Sequence, residues 1–146
     1  MRLATLGMAL VALSASASAA WADDAPTGDV GEHIYTTICQ GCHMPGGQGA
    51  VGAGFYPKLA GDPALVSWQY VAVTVLNGRH GMPSFGSTQN VTMHASRMDA
   101  ELSDEEIAGV VNYLRTHFGN KYKDKASVKG VSELPHPGAK GAGHAG

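Results

Sequence analysis

Apolar residues recur at helical spacing between Ser67 and Gly78. They fall at i, i+3, i+4, i+7 and i+8, which is the spacing of one helix face. These positions are Trp68, Val71, Ala72, Val75 and Leu76. The stretch 71–75 is rich in β-branched residues and would suit a strand, but the Ser67 cap and the Asn77-Gly78 ending favour a helix. The pattern therefore predicts a helix that begins after Ser67 and ends before Gly78.

A second apolar stripe predicts a longer helix over residues 103–118. Ser103 and Glu106 have the spacing of a capping box, the two acidic residues between them suit the N-terminus of a helix, and Gly119 supplies a stop. The stripe consists of Ile107, Val110, Val111, Leu114 and Phe118, with Tyr113 beside it. This is the clearest element of the chain.

Weaker signals precede these two helices. Residues 31–38 place Ile34, Tyr35 and Ile38 on one side of a short helix that leads to Cys39. The next stretch, 44–54, contains five glycines and a proline, a composition that disfavours regular structure and lets backbone lie close against a large flat ligand. It is not a phosphate loop, because no Gly-Lys-Ser/Thr ending follows.

The N-terminal residues have the features of a secretory signal peptide. Arg2 is followed by an apolar stretch, Leu3 to Leu13, and then by small residues that end in Ala20-Trp21-Ala22, an Ala-x-Ala cleavage signal. The apolar stretch is too short to span a bilayer, and no later segment approaches the required length. We therefore expect a protein that is exported to the periplasm and has no membrane anchor.

Domain boundaries follow from these segments. We expect a signal peptide over residues 1–22, a folded domain over 23–120 and a polar, partly disordered tail over 121–146. The formal charge of -2 does not indicate the basic surface that is typical of a nucleic-acid-binding protein.

Acidic residues gather at 99–106, and lysines follow the last helix. Such segregation could orient a partner, but it is more often a solvated surface.

The candidate chemistry lies in the pentapeptide Cys39-Gln40-Gly41-Cys42-His43. Two thiols separated by two residues can each add to a vinyl group of one haem, and the adjacent histidine then serves as an axial ligand of the iron. The pentapeptide therefore predicts one covalently bound haem c. Cys39 and Cys42 are the expected attachment points, and His43 is the expected iron ligand.

A Cys-x-x-Cys pair also occurs as a dithiol redox switch, as half of a zinc site and as a structural disulfide. A thioredoxin-like switch requires a βαβ unit, and residues 33–38 have no alternation of buried strands and helices around them. A zinc site requires four nitrogen or sulfur ligands, and beyond the motif only scattered histidines remain. The histidine directly after the second cysteine favours haem attachment over all three.

The second axial ligand decides whether the haem iron is closed or open to small molecules. Met44 adjoins His43 and cannot reach the opposite face of the haem. The candidates that remain are Met82, Met93, Met98, His80 and His94. Met82 is favoured because Gly81 lets its loop approach closely and Pro83 stiffens it. Any one of these methionines could instead be an ordinary core residue.

In order and spacing, these residues resemble a class I cytochrome c, in particular the small cytochromes that serve periplasmic dehydrogenases as electron acceptors or subunits. The resemblance covers about residues 31–120, and its motifs together are more specific than any one of them. They are Gly31-x-x-x-Tyr35-x-x-x-Cys39-x-x-Cys42-His43, Gly47-Gln48-Gly49, Tyr56-Pro57-Lys58-Leu59-Ala60-Gly61, Met82-Pro83-Ser84-Phe85 and Leu102 to Thr116.

The resemblance implies an all-α class I cytochrome c fold, in which the N-terminal helix with Gly31 crosses the C-terminal helix with Tyr113 and both pack around one covalently attached haem. It also implies that the Pro57 carbonyl accepts a hydrogen bond from Nδ1 of His43, which orients the imidazole. Met82 matches the Met-Pro iron ligand of the family.

One departure from the family pattern concerns that methionine. In close relatives the Met-Pro element lies a few residues before the last helix, whereas here residues 86–101 intervene. Some related dehydrogenase cytochromes have a longer stretch between the haem histidine and the ligand methionine, and by that spacing Met98 fits better than Met82. The flanking residues match Met82 better. Met82 is therefore the expected ligand, and Met98 is the alternative.

The expected function is that of a periplasmic monohaem electron carrier. By resemblance, its donor is a dehydrogenase and its acceptor an oxidase or another cytochrome, and it could also be a fixed subunit of its dehydrogenase. An alternative is a haem enzyme or ligand sensor with an open or labile sixth position, for example with peroxidase-like activity. Arg79, His80 and His94 are conceivable acid-base groups for such an enzyme, but their arrangement specifies no reaction.

Overall fold

A computed structural model of the chain describes residues 28–52, 54–86 and 100–138. The described elements are α1 (Gly28–Ile34), a π-helical turn (Tyr35–Cys39), α2 (Gln40–His43), β1 (Ala50–Val51), β2 (Phe55–Tyr56), a 3₁₀ helix (Pro63–Val66), α3 (Trp68–Asn77), α4 (Asp104–Thr116) and α5 (Val128–Ser132). The two short strands are antiparallel, with Ala50 opposite Tyr56 and Val51 opposite Phe55. The described fold is thus helical, as predicted, apart from this small hairpin. The hairpin was not predicted, because the glycine-rich composition of residues 44–54 disfavours regular structure.

The caps predicted for the two main helices are present. Ser67 Oγ accepts a hydrogen bond from the N–H of Tyr70 at 3.2 Å, which caps α3. Ser103 and Glu106 form the reciprocal capping box of α4. Gly78 ends α3 with a φ of 70°, a conformation that favours glycine because it has no Cβ.

The core consists of the predicted apolar stripes of α3 and α4, which face each other, together with residues from the flanking segments. Its buried members are Ile34, Tyr35, Leu65, Val71, Ala72, Val75, Leu76, Leu102, Ile107, Ala108, Val110, Val111, Leu114, Ala126 and Val131. The last two follow the point at which the sequence suggested that the domain ends.

A pair of glycines allows α1 and α4 to cross in close contact. A Cβ placed on Gly31 would collide with the backbone carbonyl of Gly109 and would lie 2.7 Å from Cβ of Tyr113. Real Cβ atoms do not approach other heavy atoms so closely, so this crossing requires glycine at position 31. The expected crossing of the helices that carry Gly31 and Tyr113 is therefore confirmed, and Gly109 is a further member of the contact.

We expect Gly31→Ala to lower the free energy of unfolding by about 2 kcal/mol or more, since overpacking a rigid contact costs about 1–3 kcal/mol. For a domain of this size the melting temperature would fall by roughly 10 °C. The matched control is Gly41→Ala, because Gly41 is also helical and a Cβ there meets nothing within 4 Å. Thermal unfolding followed by circular dichroism measures both variants. An equal melting temperature for Gly31→Ala and the wild type would contradict the close crossing.

Residues 120–138, here called the C-terminal strap, continue the folded domain past Asn120. Asn112 of α4 donates from Nδ2 to the carbonyl of Ala126 at 2.9 Å, and its Oδ1 accepts from the N–H of the same residue at 2.8 Å. Ala126 and Val131 are buried in the core. The strap, which the composition had suggested to be a polar tail, is therefore packed as far as Pro137.

Arg115 of α4 holds the first part of the strap. Its side chain is fully buried, and the guanidinium donates to the carbonyls of Leu65 and Val66 at 2.8 and 3.0 Å and to Oδ1 of Asp124 at 2.7 Å. The guanidinium also lies 5.2 Å from the ring centroid of Tyr122. Its hydrogen bond to Asp124 lowers the pKa of that carboxyl. These partners explain how the core accommodates a buried charge.

Candidate haem site

The two cysteines of the pentapeptide lie at the C-terminal end of the first helical segment. Cys39 is the last residue of the π-helical turn, and Cys42 and His43 belong to α2. Both thiols are unpaired and half-buried. Because Cys42 comes three positions after Cys39 in helical backbone, the two side chains share one face of the helix. Two thiols on one face can reach two substituents on the edge of a single flat ligand.

The environment of Cys39 argues against a dithiol redox switch. Burial raises the pKa of its thiol to about 11, whereas a reactive dithiol needs a lowered pKa so that the thiolate forms near neutral pH. A zinc site also lacks support, because the part of the chain that the structure describes contains no cluster of three or more potential metal ligands. Of the four interpretations of the motif, haem attachment fits this environment best.

His43 is buried and held in one orientation. Its Nδ1 lies 2.9 Å from the carbonyl oxygen of Pro57. A carbonyl can only accept, so Nδ1 carries the hydrogen and Nε2 keeps its lone pair. An imidazole fixed in this tautomer is ready to ligate a metal through Nε2, and the bond to the carbonyl increases its donor strength.

Two glycines place the Pro57 carbonyl against His43. Gly47 and Gly49 have φ values of 65° and 68°, and a Cβ on Gly49 would lie 2.8 Å from the backbone nitrogen of Lys58. The N–H of Gly49 donates to the His43 carbonyl at 3.1 Å, while the Gly47 carbonyl accepts from the N–H of Leu59 at 2.7 Å. The glycine-rich stretch therefore folds back on the segment that contains Pro57.

Tyr35 fixes the chain on the other side of His43. The Tyr35 side chain is fully buried, and its hydroxyl donates to the Met44 carbonyl at 2.6 Å. Burial raises the pKa of this phenol to about 12, so it keeps its proton and remains a donor. Met44 itself has a φ of 67°, which is unusual for a residue other than glycine. The helix, the turn after it and the Pro57 segment thus form one rigid support for the imidazole.

Met82 ends a tight turn that follows α3. The backbone of Arg79 and Met82 forms two hydrogen bonds, at 3.1 and 2.9 Å, and His80 between them has a φ of 52°. A Cβ on Gly78 would lie 2.6 Å from the Met82 carbonyl oxygen, so the turn packs directly on the glycine that ends the helix. The Met82 side chain is half-buried against the core.

The residues after Met82 are tied to both main helices. The N–H groups of Phe85 and Gly86 donate to the carbonyls of Val75 and Leu76 in α3 at 3.0 and 2.9 Å. The Phe85 carbonyl then accepts from the N–H of Leu102 at 2.8 Å, just before α4 begins. We call residues 78–86 the Met82 loop. Its last residues are paired directly with the start of the C-terminal helix, even though fifteen positions separate Gly86 and Leu102 in sequence.

The remaining sequence candidates divide into two groups. Met93, His94 and Met98 lie outside the residues that the structure describes. His80 is exposed, and the Arg79 guanidinium is hydrogen-bonded to the Tyr70 hydroxyl and lies 5.7 Å from its ring centroid. The two described acid-base candidates of the enzyme hypothesis, Arg79 and His80, therefore have no arrangement that specifies a reaction.

The described residues fit a haem in their apolar surface as well as in their donor atoms. Several partly buried apolar side chains lie in the segments around the two proposed ligands, and each packs on the core with only part of its surface. These side chains are Ile38, Cys39, Leu59, Met82 and Phe85. The hairpin next to Pro57 also exposes Val51 and Phe55, at 85% and 76% of their surface. A large apolar ring is the kind of group that such surface can bind.

The comparisons with known proteins agree with this chemistry. The Cytochrome c family model matches residues 29–118, which include the pentapeptide, the Met82 loop and α4. The chain belongs to the cytochrome c family. This cytochrome c is 37% identical to cytochrome c-552 of Thermus thermophilus over 101 residues, which are 65% of the chain and 72% of that relative.

Dehydrogenase subunits are also among its relatives. The chain is 29% identical to the cytochrome c subunit of the quinone alcohol dehydrogenase of Gluconobacter oxydans, over 77% of the chain and 23% of that subunit. It is 32% identical to the gluconate 2-dehydrogenase cytochrome c subunit of Pantoea cypripedii, over 81% of the chain and 26% of the subunit. The chain thus spans about a quarter of the length of these subunits.

Membership in the family establishes the general chemistry. The protein carries one covalently bound haem c and transfers electrons, and its helical fold is that of a class I cytochrome c. No helix within the described ranges has both the length and the apolar character needed to cross a membrane. The relatives are electron carriers or cytochrome subunits of dehydrogenases, and this comparison assigns the domain no catalytic activity of its own.

Sequence reasoning did not identify every residue that supports the site. The hydroxyl contact of Tyr35 was missed, because only a long-range contact gives it a partner. The role of Gly49 was more accessible: a glycine beside a candidate ligand suggests a left-handed turn. The packing of the C-terminal strap on α4 had no sequence signal.

Proposed function

We propose that Cys39 and Cys42 bind the haem of this cytochrome c through thioether bonds and that His43 and Met82 are the axial ligands of its iron. The group supplies a one-electron redox centre when bound, and a His/Met pair favours the ferrous state and so raises the reduction potential. The observation that carries this assignment is the pairing of the Met82 loop with the start of α4.

The pairing answers the objection raised by spacing. In sequence, Met82 lies farther from the last helix than the Met-Pro element of close relatives does, while the separation from His43 fits Met98 better. In space, the Phe85 carbonyl accepts from the N–H of Leu102 at 2.8 Å, so the Met82 loop adjoins the start of α4 despite the intervening residues. Residues 87–101 therefore count as an insertion in the sequence, and the position of the Met82 loop beside the start of α4 supports Met82 as the Met-Pro ligand of the family pattern.

The residues that hold the His43 side chain in place favour His43 as the other iron ligand. Pro57 fixes the imidazole through Nδ1, the Gly47 and Gly49 turn fixes Pro57, and Tyr35 fixes the chain after His43. An imidazole with its orientation set before metal binding loses little further entropy when it ligates the iron. The role of Pro57 is therefore to position the ligand.

We further propose that the protein works as an electron carrier in the periplasm, with residues 1–22 as its signal peptide. A dehydrogenase is the proposed donor, because several relatives are cytochrome c subunits of dehydrogenases. An oxidase or another cytochrome is the proposed acceptor. A stable place within a dehydrogenase complex is a variant of the same function and uses the same residues.

Carbon monoxide distinguishes a carrier from a haem enzyme. If Met82 closes the second axial position, the ferrous wild-type protein is expected to keep its absorption spectrum under saturating carbon monoxide, because the gas needs an open position on the iron. The ferric protein is also expected to show negligible peroxidase turnover with hydrogen peroxide.

The positive control is Met82→Gly, which removes the proposed ligand and should bind carbon monoxide. Its folding can be checked by circular dichroism. Rapid carbon monoxide binding by the wild type, together with peroxidase turnover, would instead establish the enzyme hypothesis with a labile sixth ligand.

A further inference from the structure

The end of the C-terminal strap contacts the chain on both sides of the Met82 loop. Just before the loop, Asn77 donates from Nδ2 to the carbonyl of Pro135 at 2.9 Å. At its end, Gly86 is in close contact with Pro137, since a Cβ on Gly86 would lie 2.9 Å from Cδ of that proline. Two prolines of the strap thus contact the residue before the Met82 loop and the last residue of the loop.

His136, between these prolines, connects the strap to α4. Its Nε2 lies 2.8 Å from Oδ1 of Asp104, the first residue of that helix, and its Nδ1 lies 2.7 Å from the carbonyl oxygen of Leu134. Both partners are acceptors, so both contacts are hydrogen bonds only when the imidazole is protonated on both nitrogens. The neutral ring has one N–H and must lose one of the two bonds.

We propose that His136 is a positioning residue for the iron ligand Met82: its protonated imidazole fastens the C-terminal strap to α4 and thereby holds the Met82 loop in place. This inference rests on the proposed ligation by Met82. The strap contacts Asn77, the residue before the loop, and Gly86, its last residue, while Leu102, just before α4, is hydrogen-bonded to Phe85 of the loop. The bond between His136 and Asp104 therefore connects the two segments that hold the loop.

The charges around the imidazole favour its protonated form. The group that α4 places against it is Asp104, and the next two residues of that helix, Glu105 and Glu106, are also acidic. The partners from α3 and the Met82 loop, Asn77 and Gly86, carry no charge. The hydrogen bond to Asp104 raises the pKa of His136 above its usual value.

The sign of the pH dependence follows from that direction. A histidine whose pKa is raised by folding contributes its full stabilisation below the pKa of the unfolded chain and loses it as the pH rises through the pKa of the folded state. The strap is therefore expected to be fastened at mildly acidic pH and to loosen as His136 loses its proton.

Amide hydrogen exchange of the full-length haem protein tests whether these contacts hold the Met82 loop in place. In the wild type, the protection factors of Phe85 and Gly86, corrected for intrinsic exchange, are expected to fall by about threefold to tenfold across the titration of His136. The Gly49 amide, which is bonded to the His43 carbonyl away from the strap end, is the internal reference and should show no such step. Nuclear magnetic resonance of the imidazole gives the titration itself.

Matched variants assign the step to this contact. His136→Gln and Asp104→Asn are expected to abolish the step in the protection factors of Phe85 and Gly86. As the pH is raised, the ferric sulfur-to-iron absorption band should also disappear at a lower pH in these variants than in the wild type. His33→Gln removes another, exposed histidine, and Glu105→Gln removes another carboxylate from the same helical turn; both should retain the step. An unchanged step in His136→Gln, or an unchanged band midpoint in that variant, would overturn the positioning role.

The result is separable from a failure of the ligand assignment. If Met82→Ala keeps the sulfur band, Met82 is not the ligand and the positioning role fails with it, whatever the exchange data show. If Met82→Ala loses the band while His136→Gln leaves exchange and band midpoint as in the wild type, the ligation stands and only this inference falls.

Discussion

The protein with Cys39→Ser and Cys42→Ser together is expected to contain no covalently bound haem. A serine hydroxyl does not replace a thiol in forming a stable thioether bond, and both attachment points lie on one face of the same helical segment. Haem staining after denaturing electrophoresis and the pyridine haemochrome assay measure the loss. Each single variant should keep one link and therefore retain covalent haem at reduced yield.

The double variant should also lose stability, because the half-buried apolar side chains around the site would be left facing water. We expect a loss of several kcal/mol, a large part of the 5–15 kcal/mol that stabilises a typical domain. The matched control is Thr36→Ser with Thr37→Ser, which changes two residues of the same helical segment. Both threonine hydroxyls donate to backbone carbonyls one turn earlier, and serine can keep those bonds. Normal covalent haem content in the double cysteine variant would defeat the whole assignment.

The helices of this protein could be predicted because their signals are local. The caps at Ser67 and Ser103 lie within one turn of the residues that they serve, and the apolar stripes recur within each helix. The C-terminal strap could not be predicted in the same way. Ala126 and Val131 are isolated apolar residues in a polar sequence, and the start of the segment that carries them is held by hydrogen bonds from Asn112 and Arg115 of α4. Composition alone therefore suggested a tail.

The candidate site shows the same division between local and distant signals. The pentapeptide is contiguous, so sequence alone was enough to predict the roles of the two cysteines and of His43. The choice between Met82 and Met98 depended on spacing, and spacing along the chain is a poor measure of distance where an insertion separates two neighbours. Only the hydrogen bond from the N–H of Leu102 to the Phe85 carbonyl reveals that the Met82 loop adjoins α4.

Met82→Ala is expected to abolish the sulfur-to-ferric-iron absorption band and to lower the reduction potential by on the order of 100 mV, since alanine offers no donor and the thioether favours ferrous iron. Met98→Ala should retain both the band and the potential. Absorption spectroscopy of the ferric proteins and redox titration measure the two effects. Met44→Ala is an additional control for a methionine next to His43 that cannot reach the opposite face.

A further variant removes all the competing ligands of the insertion at once. Replacing residues 88–100 with a Gly-Ser link of about ten residues deletes Met93, His94 and Met98. Gly86 and Leu102 are paired directly as parallel neighbours, so a link of this length can return the chain beside itself, and the fold and the sulfur band are both expected to survive. A folded variant that lacks the band, together with a Met82→Ala protein that keeps it, would transfer the ligand role to the insertion, because the proposed ligand would then be dispensable and a residue of the insertion required.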